Sequence, residues 1–152
     1  MAVALAVGAH VPNAIRELSA LDRVDYVDTA SADVAEASAR SPEVWGRAVM
    51  ERTALGRRAP LLWTTLGLRL GPRPSPDHIQ GWRIAARGDD WIRVDTRSWY
   101  ARAEAVCRVE DGRVSVALFL RYDRPIAAVI WAVIGPLHRR GLPAMVREAV
   151  CQ

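Results

Sequence analysis

The chain has 152 residues, 51% of them hydrophobic and 25% charged, and a formal net charge of +4. That balance fits one globular domain with a sizeable core and excludes a disordered chain. All 21 cations are arginine, scattered with no run longer than the pairs Arg57-Arg58 and Arg139-Arg140, so no basic patch points to nucleic acid.

"MAVALAVGAH" (1–10) is apolar but short and lacks a positively charged leader, so a secretory signal is not expected. Residues 1–11 are read as a flexible N-terminal segment ahead of a single domain spanning 12–152. "VPNAIRELSAL" (11–21) spaces Ile15, Leu18 and Leu21 for a short amphipathic helix, and "RVDYVDTA" (23–30) alternates as a strand. "SPEVWGRAVMERT" (41–53) carries strong start signals: Ser41 as the cap, Pro42 in the first turn and Glu43 at the positive end of the dipole. "APLLWTTLGLRLG" (59–71) is a second apolar helix closed by Gly71-Pro72. "PRPSPDHIQG" (72–81) holds three prolines and reads as a stiff loop.

From there the period becomes two. "GWRIAAR" (81–87), "WIRVDTRSWY" (91–100), "ARAEAVCRV" (101–109) and "RVSVALFLRYD" (113–123) alternate, with turn signals at 88–90 and 110–112 and a bend expected near Ser98–Ala101. The last third is helical in pattern, with a kink or break expected at Gly135-Pro136 and again near Gly141–Pro143. Its oily run, "PIAAVIWAVIG" (125–135), is too short for the roughly 20 residues a bilayer crossing needs, so stable membrane insertion is not expected, while an interfacial helix stays open. The expected fold class is α+β of helix-grip type, a curved antiparallel sheet wrapped on a long, kinked C-terminal helix. A sheet curved around a helix leaves a hollow suited to a small apolar ligand.

Cys107 and Cys151 form no CxxC pair, and His10, His78 and His138 lie far apart, so no metal site and no cofactor are expected. Two thiols without a secretory signal suggest a cytoplasmic protein. No serine-histidine-aspartate order, phosphate loop, GxGxxG or HExxH is present. What remains are single residues with two readings each. His138, in "PLHRRG", is either a general base at a cavity mouth or a surface histidine beside two arginines. His78 follows Asp77, which either orients it or stabilises a turn. Arg93, Asp95 and Arg97 share a strand face with Trp91 and Trp99; they form either an outer charge ladder or a cavity wall in which Arg97 holds a carboxylate or carbonyl and the tryptophans clamp a ring. Tyr26, Asp28, Tyr100, Glu104 and Tyr122 complete the polar set; a tyrosine hydroxyl in an apolar site could polarise an enolisable carbonyl, and could equally be a satisfied core tyrosine.

Four stretches, "SPEVWGRAVME", "LGLRLGPRPSPDHIQGWRIAARGDDWIRV", "VSVALFLRYDRPIAAVIW" and "HRRGLPAMVREAV", together resemble a group of small actinobacterial proteins of unknown function placed with the SRPBCC superfamily, the START and birch-pollen-allergen type of helix-grip domain. The resemblance spans roughly residues 12 to 150 and rests on texture, not on a catalytic signature. It implies a hydrophobic ligand cavity and no particular reaction; the wider superfamily includes polyketide cyclases and aromatases, lipid carriers and ring-hydroxylase domains. On that footing the expected function is binding of a small lipid-, polyketide- or aromatic-like molecule under the C-terminal helix, with cofactor-independent acid–base chemistry of cyclase or isomerase type as an extension. Tyr26, His78, Tyr100 and His138 are the catalytic candidates; Trp63, Trp82, Trp91, Arg97, Trp99, Phe119, Ile130 and Ile134 are the ligand-contact candidates. The alternative is a membrane-surface or protein-partner module that uses the apolar 125–134 face. A homodimer stays open.

Overall fold

The computed structural model describes residues 2–152. Seven strands form one antiparallel sheet: β1 (Val3–Val7), β2 (Tyr26–Asp33), β3 (His78–Ile79), β4 (Trp82–Arg87), β5 (Trp91–Arg97), β6 (Ala101–Glu110) and β7 (Arg113–Tyr122), in the spatial order β1-β2-β7-β6-β5-β4-β3. The meander from β4 to β7 follows the alternation of the sequence almost residue for residue. Asp111-Gly112 closes the hairpin between β6 and β7, with Gly112 at φ +80°, a backbone that favours glycine. Pairing of β4 with β5 shifts register between Ile84 and Ala86, a bulge that bends the sheet.

Parity assigns the two faces. On β7, Val114, Val116, Leu118 and Leu120 turn to the concave side, as do Ala103 and Cys107 of β6 and Ile92 and Val94 of β5. Three helices cover that side: α2 (Pro42–Arg47), α3 (Ala54–Thr65) and α4 (Pro125–Val150). Ser41 Oγ accepts from the Val44 amide, the cap that the sequence signals, and Ala48–Arg52 prolong α2 as a wider π-helical turn. Thr53, fully buried, then caps α3: its Oγ1 accepts from Gly56 N at 3.0 Å and donates to Val49 O at 2.7 Å. Trp45, Val49, Leu142 and Val146 fill the layer between helices and sheet.

The long terminal helix is borne out, but the expected break is not. α4 runs as one helix through both Pro136 and Pro143. Each proline removes one backbone donor. Pro136 and Ala132 are both exposed, so the carbonyl left without its partner is open to water. The helix expected over 59–71 starts earlier, at Ala54, and ends at Thr65 because Gly67 takes φ +83°.

The convex face is also covered. After β1 the chain makes a 3-10 turn at Gly8–His10 and one turn of helix, α1 (Asn13–Arg16), much shorter than the pattern over 11–21 predicts. Val11 and Ile15, with Leu18 and Leu21, pack on Val27, Val106, Ala117 and Phe119. Glu104, almost fully buried, pins this cover: it accepts from Ser19 Oγ at 2.6 Å and from Ala20 N at 3.1 Å, and lies 3.6 Å from Arg93. Val3–Val7 form an edge strand paired with β2, and Val11 is buried under the same cover.

Candidate functional site

One cluster of polar chemistry is buried beneath α4. Asp28 points from β2 to the concave side and is wholly buried. Its Oδ2 accepts from the Tyr26 hydroxyl at 2.6 Å and lies 2.9 Å from His138 Nδ1; its Oδ1 has no partner. Tyr26 and Asp28 meet because they stand two apart on one strand, and His138 reaches them from the helix that crosses it. Trp131, two turns before His138, sets its ring edge-on to Tyr26 at 4.9 Å and against His138 at 5.4 Å. Arg139 lies over the Tyr26 ring and donates to its hydroxyl at 3.3 Å. The buried indole Nε1 of Trp131 has no partner either. Burial raises the Tyr26 phenol well above its ordinary value, and the hydrogen bond to Asp28 adds to that rise, so it stays protonated and serves as a donor. Gly135, one turn from Trp131 and Arg139, leaves the room both side chains occupy: a Cβ there would meet Arg139 Nη1 at 2.9 Å and Trp131 Nε1 at 3.0 Å.

Of the four catalytic candidates, Tyr26 and His138 thus come together. The other two do not join them. The Tyr100 hydroxyl is spent on Leu66 O at 2.5 Å, where it ties down the end of α3. His78 lies on the convex side opposite Arg83, and its Nδ1 is 3.0 Å from Ser75 Oγ; Ser75, not Asp77, orients it. The ligand-contact candidates are spread over both faces. Trp63 and Trp82 meet edge-on at 5.2 Å on the concave side. Trp91, Arg97 and Phe119 stand on the convex face, so they cannot line a space beneath α4. Arg93, Asp95 and Arg97 stand together on the outer face, where Asp95 pairs with Arg83 and Arg93 with Glu104. Trp99 is exposed at the turn between β5 and β6, and Ile130 and Ile134 are half-buried on α4. Between sheet and helices the helices pack down closely, and the void by Gly46 and Val49 is only about 10 Å³. Among the described residues no group of three or more His, Cys, Asp or Glu is placed to hold a metal ion.

A second feature covers the outside of α3 and α4. The helices lie side by side and run in opposite directions. At one end Leu55 comes within 3.6 Å of where a Cβ on Gly141 would stand, and Glu148 caps the Ala54 amide at 3.1 Å. At the other, Tyr100 joins the end of α3 to Ala127. Their outer surface is apolar. Ile126, Val129, Val133 and Leu137 follow one another at helical spacing on α4, with Val133 67% exposed; on α3, Leu55, Leu61 and Leu62 are exposed, Leu61 at 78%. Trp99, 63% exposed, stands at the end of the pair. Exposed arginines rim this surface: Arg52, Arg57, Arg58, Arg124 and Arg140, none with a carboxylate in ion-pair range among the described residues. Neither 52–76 nor 124–147 contains a single Asp or Glu. Sequence periodicity marked α4 as amphipathic but assumed that its apolar side would be buried; the missing acids over both helices were the legible signal.

Comparison of the chain with protein-family models, with curated proteins and with solved structures returns no match. Among the described residues no helix is long and apolar enough to cross a membrane.

Proposed function

We propose that the protein works at the surface of an anionic lipid assembly, seated through the outer face of α3 and α4. The observation that carries this reading is the coincidence of an exposed apolar stripe with an acid-free arginine rim on the same two helices. Apolar side chains enter the acyl boundary while guanidinium groups stay at the headgroups, where anionic lipid attracts them. Arg140 continues the Ile126, Val129, Val133, Leu137 stripe, and Arg58 stands one turn from Leu55, Leu61 and Leu62, so each helix carries charge beside its exposed apolar residues. Trp99 is the kind of side chain that settles at such a boundary. The test is co-sedimentation with vesicles of phosphatidylcholine alone and with a phosphatidylserine fraction. Retention by the anionic vesicles and release by high salt supports the reading. Equal, salt-insensitive behaviour towards both removes it.

A second reading, the one the resemblance to helix-grip ligand carriers suggests, is favoured by the buried cluster. A small hydrophobic molecule bearing a carbonyl would find a free donor in Trp131 Nε1 and acid–base chemistry in the Asp28–His138 pair, with Tyr26 holding the carboxylate in place. The unpartnered Asp28 Oδ1 and Trp131 Nε1 support it, since native proteins leave few buried polar atoms unbonded. Entry would be through the first half of α4, the half with most of its apolar surface outside. Native mass spectrometry of freshly purified protein tests it: a stoichiometric small molecule retained by wild type and lost in Asp28→Asn supports the reading, and an apo mass after exposure to lipids and polyketide-like aromatics argues against it.

A further inference from the structure

On the sheet face turned away from α4 lies an open groove of about 680 Å³, between the 18–22 connector on one side and the 69–81 loop on the other. Its size is that of a small-molecule site. We infer that it binds a small organic molecule carrying an oxyanion, phosphate or carboxylate, which is held between Arg69 and Arg97.

The backbone explains why these two arginines face each other. β4 begins at Trp82, which leaves the far end of β5 without a neighbour on that side. Residues 69–71 fill the gap: Arg69 N donates to Arg97 O at 2.9 Å, Thr96 Oγ1 donates to Arg69 O at 2.8 Å, and Gly71 N donates to Gly81 O at 2.7 Å. Leu68 and Leu70 turn into the core, so Arg69 between them turns to the convex face, where strand parity also places Arg97. Two like charges set opposite each other on one face of a sheet repel. Here no carboxylate separates them, since both acids of the groove are already engaged. Asp95 is taken by Arg83, at 3.1 and 2.8 Å, and Glu104 is turned into the connector and Arg93. Arg102 adds a third cation; its nearest carboxylate, Asp123, is 3.8 Å away and sits closer to Arg121, at 3.0 Å. The groove therefore carries uncompensated positive charge on planar forks that match an oxyanion in bidentate fashion.

Two further features shape it as a site for an organic anion. Leu21 and Ala20 give one wall an apolar surface. On the other, the His78 ring packs against Gly71, where any Cβ would clash with it, and its Nδ1 is held by Ser75.

The experiment is NMR of the whole protein, following the arginine Nε–Hε signals and the Leu21 methyls during titration with phenyl phosphate, benzoate and inorganic phosphate. Saturable shifts confined to Arg69, Arg97 and Leu21 are expected with at least one of the two aromatic anions, and their ranking decides between phosphate and carboxylate. Inorganic phosphate, which lacks the apolar part, should bind about tenfold more weakly. Arg97→Gln and Arg69→Gln should each weaken binding about tenfold or more, while Arg113→Gln, at the far end of the sheet, should leave it unchanged. These side chains are exposed, so the same spectra report whether the variants remain folded. Linear shifts shared by all exposed arginines, or affinities untouched by both substitutions, would overturn the proposal.

Discussion

The Asp28–His138 pair lends itself to a double-mutant cycle. Asp28 is wholly buried and its Oδ2 carries two bonds, Tyr26 at 2.6 Å and His138 at 2.9 Å. A hydrogen bond to a charged group contributes about 1.5–3 kcal/mol, and a buried donor stripped of its partner costs about 1–3 kcal/mol. His138→Ala leaves the carboxylate with Tyr26 alone, so about 2 kcal/mol should be lost. Asp28→Ala strands both donors but also removes a buried charge, so the loss should be about 3 kcal/mol. In the double variant the histidine penalty has already been taken, and the total should stay near 3 kcal/mol, which leaves a coupling of about 2 kcal/mol. Urea unfolding of the four proteins, monitored by tryptophan fluorescence, supplies the numbers. If Asp28→Ala fails to fold, Asp28→Asn closes the cycle. A coupling below about 0.5 kcal/mol would mean that the two residues act independently and that the cluster is no unit.

Other expectations follow from the same packing. Burial pushes the Cys107 thiol up to about 12, so it stays protonated and unreactive at pH 8, whereas Cys151 is exposed. A thiol reagent should titrate one group in native protein and two after denaturation; since the unfolded thiol ionises near its ordinary value, Cys107 stabilises the fold below about pH 8.5 and loses that contribution as pH rises above it. Gly56→Ala would place a Cβ 2.5 Å from Met50 O and 2.7 Å from Thr53 Oγ1, at the cap of α3. A loss of several kcal/mol is expected, read as a Tm fall of roughly 5 °C or more; an unchanged Tm would show that α3 is not anchored there. Arg47 bonds Glu43 and Glu51 on its own helical face and also donates to the carbonyls of Ser75 and His78. Arg47→Met should therefore speed amide exchange across residues 75–80, and protection equal to wild type would contradict that role.

The strands and the last helix were legible because their chemistry is periodic. Val114, Val116, Leu118 and Leu120 alternate, and hairpin glycines sit where turns require them. The sequence did not show which face of the sheet the helices take. Trp91, Arg97 and Phe119 therefore looked as eligible for the site as Trp63, although parity places them on the far side. The edge strand Val3–Val7 was not legible for a related reason: a strand at the sheet edge needs only a partner's free backbone, and that partner, β2, does not reveal its open edge in sequence. In α4, prolines suggested a kink or a break; the helix runs unbroken through both, since packing on the sheet outweighs local propensity. Tyr26 and His138 were singled out separately. Their meeting on Asp28 depends on a crossing between elements more than a hundred residues apart in the chain, which only the fold provides.

The lipid-surface proposal requires that the outer face of α3 and α4 meet the membrane. Its most direct test is NMR of the methyl groups in bicelles containing phosphatidylserine, with a spin label on the lipid chains. Broadening is expected at Val129, Val133, Leu137, Leu61 and Leu62, and none at Val27, Val106 or Leu21 on the convex side. Broadening spread evenly over both faces, or absent from α3 and α4, would contradict it.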